Sequence, residues 1–448
     1  MKKRQMPSIR LEGGSEEEKR VEIRRYFHQS FDLFESLFEL FRSDKVFYAQ
    51  PEPTRHPMIF YFGHTAVFYI NKLVLSGALD GGINPKLEGL FAVGVDEMIW
   101  DNMDEQFEGL SVQLIREYRN EVRVCVDDLI MRLPLTLPIT QKDPFWAILM
   151  GCEHERIHIE TSSVLHRQMP LELIQEHEDF PLCPLSGDCL ENTMVPISGT
   201  TIMLGKGAKD HGLYGWDNEY GIQVHQVEDF EASLFLVSNG EFLDFVNANG
   251  YKIQRWWDEE GLKYLAIRGA ICPPFWIPKE DGSYAYRSLT QEVPMPYNWP
   301  VEVNALEAQA FCRWKSAQEG TEYRLPTEAE YAVLLQECGI VSDIFDDETA
   351  NINLAHFASS VPVDTFFHGK VYDAVGNVWQ WTGSQMDGFE GFAPHRLYDD
   401  FSSPTFDTKH NIIKGGSWIS TGNEIVRASR YAFRRHFIQH AGFRYVAD

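Results

Sequence analysis

The sequence predicts an α+β chain in two parts: a bundle of four long helices, then a mixed domain of short strands and loops. Three observations carry this. Apolar residues recur at helical spacing through the first 180 positions. The texture breaks at "FPLCPLSGDCLEN", which holds two prolines, a glycine and two cysteines. Beyond it come glycines, aromatic-rich loops and short strand patterns. At 448 residues the chain exceeds one ordinary core, so two domains are expected. The boundaries read as 1–180, a linker over 181–193, and 194–448.

The elements follow in order. Ser15 and Glu18 form a capping box that opens the first helix, whose apolar face runs from Tyr26 to Phe41. A second helix is predicted from about His64 to Leu79, ending before "DGG". A third covers about Ser111 to Arg132 and is stopped by Pro134. The fourth opens at Asp143-Pro144, a cap followed by proline at the first helical position, and continues to about Arg167. In the second part the best helical stretches are Val303–Gly320 and Thr327–Cys338.

Composition excludes several classes. The net charge of -26 repels phosphate backbones and anionic bilayers, so neither nucleic acid nor a membrane is an expected partner. No apolar run reads as long enough to span a bilayer, and the basic N-terminus lacks the apolar stretch of a secretory signal. Seven scattered cysteines without a paired framework suit a reducing compartment, with the cytoplasm as the default.

The stretch "GCEHERIHIE" carries the chemistry. His154 and His158 stand four apart on a helix and project from one face. Glu160 lies about 200° around from His158 and cannot join the same centre while the helix is regular, so it reads as a packing or ion-pair residue. A third ligand must come from another helix. His64, within the apolar "FYFGHTAVFYINKLV", is the choice over His56 in a loop and His166 and His177 in more polar surroundings. Three imidazoles fit iron with open positions or zinc with a water, and spacing does not name the metal.

The second half contains "YRLPTEAEY", "DAVGNVWQWT", "IKGGSW" and "AGFRYV" in that order. Over about Met194 to Asp448 it resembles the formylglycine-generating-enzyme, or sulfatase-modifying-factor, domain, a variant of the C-type-lectin fold. Those enzymes carry a late cysteine pair that binds copper. "VRASRYAFRRHFIQHAGFR" has none, so copper chemistry is not expected here. The first half resembles the DinB-like bundle. The combination resembles the non-haem iron sulfoxide synthases of ergothioneine and ovothiol biosynthesis. "FYFGHTAVFYINKLVLSG", "AVGVDEMIWDNM", "CEHERIHIETSSVL", "YDDFSSPTFD" and "IKGGSWISTGNE" are similar to the ovothiol, 5-histidylcysteine sulfoxide type. Ergothioneine-type relatives carry glutamine where this chain has Ile157, which argues against a betaine substrate.

The resemblance implies Fe(II) held by His64, His154 and His158, with L-cysteine, L-histidine and O2 as substrates. It implies a tyrosine proton donor, for which Tyr398 is the candidate. Carboxylates of free amino acids call for arginine. Arg427, Arg430, Arg434 and Arg435 form the local basic cluster, and Asp399 and Asp400 are candidate receivers of ammonium. Trp379, Trp418, Arg324 and Arg444 read as structural. Many ovothiol synthases carry a further methyltransferase domain. None follows "AGFRYVAD", so a separate lyase and methyltransferase are expected to act downstream. The alternatives are a related enzyme with another thiol, selenium donor or imidazole, a zinc-dependent thiol transferase, and a lectin-like binding protein with a scaffold bundle.

Overall fold

The computed structural model describes residues 6–93, 107, 109–207 and 212–448. Four long helices fill the first part: α1 (Glu16–Phe38), α2 (Met58–Ser76), α3 (Val112–Arg132) and α4 (Pro144–Arg167). The Ser15–Glu18 capping box is formed reciprocally, with Ser15 N–H donating to Glu18 Oε2 at 2.9 Å. Ser111 caps α3 through the Leu114 amide, and Gly77 ends α2 in the left-handed region at φ 81°. The motif "AVGVDEMIWDNM" lies outside the described residues apart from Ala92 and Val93.

α2 departs from the sequence reading in two ways. It begins at Met58, directly after Pro57, so His64 sits well inside the helix rather than at its head. Gly63 is not a boundary. A Cβ there would meet the Phe91 ring at 2.7 Å, so the glycine lets that ring lie against the helix. α2 is also long and apolar enough, by length and composition, to cross a bilayer, which corrects the reading that no run suffices. The window that passes this test is 78% buried within the fold, as the core helix of a packed domain would be.

α2 and α4 cross closely. Gly151 makes this possible, because a Cβ there would stand 2.1 Å from the Tyr69 ring of α2. α4 is buried on nearly every side although it carries Glu153, Glu155, Arg156, Glu160 and Arg167. A polar helix buried all round must find partners on each face. Glu155 pairs with Arg119 of α3 at 3.1 Å, inside the bundle. Arg167 donates to the Arg287 carbonyl at 2.7 Å, in the second part. Glu153 accepts from Tyr26 at 2.5 Å on one side and from the Asn423 amide at 2.7 Å on the other.

The second part holds small sheets. β1 (Met194–Ile197), β2 (Phe230–Ser233) and a late strand β7 (Val446–Ala447) form one, with β2 central. Another has the order β5-β4-β3-β6, built from β3 (Trp379–Gln385), β4 (His410–Lys414), β5 (Tyr431–Arg434) and β6 (Ala441–Gly442). β3 and β4 pair antiparallel, Trp381 opposite Ile413, while β3 and β6 pair parallel, Trp379 opposite Ala441. Helices Ala305–Glu319 and Glu328–Glu337 pack beside them, each opened by a reciprocal capping box. One buried apolar cluster runs through both parts of the chain.

The motif residues are structural. Arg444, fully buried, donates to the carbonyls of Ser233 and Tyr372. Arg324 bonds Glu330 at 2.7 Å. Trp379 and Trp418 are buried in the core.

Candidate metal centre

His64 of α2 and His154 and His158 of α4 come together. Their ring centroids lie 5.0 Å (64–154), 4.9 Å (64–158) and 4.5 Å (154–158) apart. One nitrogen from each falls within 4.8 Å of the others. All three side chains are buried. Phe68 stacks on His154 at 3.6 Å, and Phe60 stacks on His64 at 4.9 Å, so apolar rings wall the site.

These residues fit a metal ion on three counts. His64 Nδ1 is engaged with the Phe91 carbonyl at 2.7 Å, which fixes the ring and leaves Nε2 without a partner. His154 Nδ1 and His158 Nδ1 are also buried and unpartnered, and orphaned buried polar atoms are costly without a ligand. Burial lowers His64 to about 4 and holds His154 and His158 well below the usual histidine range, each pushed further by its neighbours. Neutral imidazole is the form that binds a transition metal.

Tyr398 stands beside the histidines. Its ring is 5.1 Å from Phe68 and 6.2 Å from His154, with the Lys72 ammonium 4.1 Å over its face. Burial, with Asp400 adding to it, pushes the phenol up and keeps it protonated. Asp399 and Asp400 are exposed, and their charges act on Lys72.

The arginine cluster divides. Arg430 is buried against Glu328 at 2.9 Å and over Phe389 at 3.8 Å. A buried guanidinium needs such a carboxylate. Arg427 is exposed beside Asp343 at 3.9 Å. Each of these two has a carboxylate neighbour of its own. Arg434 and Arg435 instead line an outer cavity with Glu52 and Arg268. Glu160 bonds the second part, accepting from Trp379 Nε1 at 2.7 Å, Ser417 at 2.8 Å and Ser420 at 2.5 Å. His56 stacks on Phe60 and His166 on Phe41, outside the three-histidine group.

Sequence reasoning passed over Glu52, Arg55, Tyr61, Lys72 and Arg268. Tyr61 and Lys72 carried a signal, since they fall one and two turns from His64 on the same helix. Arg55 sits in "PEPTRHP", which reads only as loop.

Residues 186–448 match the family described as sulfatase-modifying factor enzyme 1-like domain. The chain is 27% identical over 365 residues to the hercynine oxygenase of Mycolicibacterium smegmatis, covering 75% of this chain and 79% of that protein. It is 26% identical to the hercynine oxygenase of Mycolicibacterium thermoresistibile, covering 85% and 84%. It is 24% identical to ergothioneine biosynthesis protein 1 of Schizosaccharomyces pombe, covering 88% of this chain and 51% of the yeast protein.

Proposed function

This chain belongs to the sulfatase-modifying factor enzyme 1-like family through residues 186–448, and from that premise we propose that it is an iron(II)- and O2-dependent sulfoxide synthase. Its reaction joins the sulfur of L-cysteine to C5 of L-histidine. The observation that carries this reading is the three-histidine pocket with its orphaned nitrogens, beside a protonated tyrosine. The extended similarity to hercynine oxygenases supports the class.

The balance is as follows. S–H and C5–H bonds break and an S–C5 bond forms, a two-electron oxidation. Sulfur then gains one oxygen atom, a second two-electron oxidation. O2 takes the four electrons, and its other atom leaves as water. Iron(II), when held by His64, His154 and His158, supplies redox chemistry with O2 and open positions for the substrates.

The chain's own residues do the rest. The imidazoles stay neutral because burial disfavours their protonation. Phe60 and Phe68 keep water from two sides of the cluster. Tyr398 holds a proton at Oη within the pocket, suited to deliver it to a reduced oxygen atom. Lys72 over its ring favours the neutral phenol's π face and adds positive charge nearby.

Histidine betaine with a thiol is the second reading, favoured by the similarity to hercynine oxygenases. Ile157 beside His158 offers no amide to that betaine. The test is a product assay. Protein loaded with iron(II) without air receives L-cysteine and L-histidine, or L-cysteine and histidine betaine, then O2. The histidine–cysteine sulfoxide adduct by mass, absent in His154→Ala, is the expected result. An adduct only with the betaine moves the reading to the ergothioneine type. No O2 uptake by iron-loaded protein overturns it.

A further inference from the structure

A cavity of about 120 Å3, next to the histidine cluster but not lined by it, lies between the segment leading into α2, the later turns of α4 and the chain from Phe433 onward. Tyr61, three residues before His64, and Thr161, three after His158, line it. Residues three apart on a helix share a face. The cavity therefore opens along the same side of both helices as the ligands, and the Tyr61 and His158 rings are 6.0 Å apart.

Three polar groups converge there. Arg55 lines the cavity with its guanidinium 4.4 Å over the Phe437 ring. The Tyr61 hydroxyl is buried beside the His56 backbone, and among the described residues its O–H proton has no acceptor. Glu52, 6% exposed, accepts at Oε2 from Arg268 at 2.7 Å, while among the described residues Oε1 has the long contacts with Thr54 at 3.2 and 3.4 Å. A carboxylate offers about four acceptor sites, so Oε1 has capacity for a further donor.

An outer cavity of about 690 Å3 shares Glu52, Thr54 and Arg268 with the inner one, and Lys263, Lys409, Arg434 and Arg435 stand on its wall. Glu259 and Glu260 stand on the same wall and pair with Lys263 and Arg435, so this vestibule is a mixed-charge entrance in a chain of net charge -26.

We propose that the inner cavity is the binding pocket for a free α-amino acid, its carboxylate on Arg55 and the Tyr61 hydroxyl and its ammonium on Glu52. Identifying that amino acid as L-histidine or L-cysteine rests on the function proposed above; the pocket's chemistry does not. A trimethylated ammonium donates no hydrogen bond, so Glu52 selects a primary ammonium over a betaine.

The test is calorimetric binding to iron(II)-loaded protein under nitrogen, which reads affinity without turnover. The probes are L-histidine, L-cysteine, histidine betaine, and the decarboxylated amines histamine and cysteamine. At least one amino acid binds wild type, and Arg55→Met weakens it at least 10-fold while leaving its decarboxylated amine within 2-fold. Glu52→Gln weakens the amino acid at least 10-fold and narrows its preference over the betaine. Tyr61→Phe, the mildest change, weakens it about 3-fold and covers the case where a charge variant misfolds. Affinities unchanged in all three variants, or no binding of either amino acid to wild type, overturn the pocket. If wild type forms the sulfoxide and the variants keep their KM, the function stands and the pocket falls. If binding is lost in the variants of a protein that makes no sulfoxide, the pocket stands and the function falls.

Discussion

Glu160 of α4 accepts the indole N–H of Trp379 at 2.7 Å and so joins the histidine helix to the "GNVWQW" strand of the second part. Ser417 and Ser420 complete its set of donors. Glu160→Ala removes the shared acceptor of three buried donors, of which Ser417 and Ser420 can still bond each other at 3.2 Å, and is expected to cost about 3 kcal/mol. Trp379→Phe removes one donor and keeps most of the ring, so about 1–2 kcal/mol is expected. Urea unfolding of both variants checks the order. Equal losses would show that the carboxylate does not hold the two parts together.

Removing any one histidine of the three should remove the metal while sparing the fold. His64→Ala, His154→Ala and His158→Ala are expected to retain less than a tenth of the wild-type iron after anaerobic loading and desalting, with unchanged far-ultraviolet circular dichroism. His166→Ala is the control, because His166 stacks on Phe41 outside the cluster. Full iron retention by any of the three cluster variants would remove that residue from the ligand set.

Tyr398→Phe keeps the ring against Phe68 and His154 but removes the proton. Sulfoxide formation is expected to fall about 100-fold with iron content unchanged. Cysteine sulfinate should take a larger share of the product, since thiol oxygenation needs no C–S coupling. An unchanged rate would assign the proton to another group.

His166 and His440 should each work against the fold in the range where histidine titrates, opposed by Glu160 and Glu307, whose carboxyls burial raises to about 7 so that they favour the fold as the pH falls. Burial lowers His166 and His440 to about 4 in the folded state, so the unfolded chain takes up protons first as the pH falls below about 6.5. The contribution of these two histidines is complete above that value and is lost between it and about 4. From pH 7.5 to pH 5 each contributes a loss of about 2 kcal/mol. Glu302, held near 2 by Arg167 despite its burial, is silent in this window, because its stabilisation falls only below the ordinary carboxylate range. Unfolding free energies of wild type and His166→Asn at the two pH values should differ in slope by about that amount.

The bundle was legible because its signals are local. Ser15 and Glu18 announce a cap three residues apart, and His154 and His158 announce a shared face four apart. α2 was placed too late because Gly63 reads as a break, whereas its cause is the Phe91 ring 28 positions away. The Arg430 ion pair gives no sequence signal for a similar reason, as its partner Glu328 lies 102 residues before it. Arg55 gave no signal, since a loop arginine acquires meaning only when Phe437 and Tyr61 are brought around it.

Gly151 sets a limit on what this scaffold can evolve. With no side chain between Tyr69 and α4, the spacing of the two histidine-bearing helices is fixed at van der Waals contact. Any methyl group added there wedges the helices apart and opens the gap between His64 and His154 along with them. A lineage can therefore retune the loops and cavities around the three imidazoles freely, but this one position admits no gradual path. Its loss would take the three imidazoles out of reach of one another in a single step.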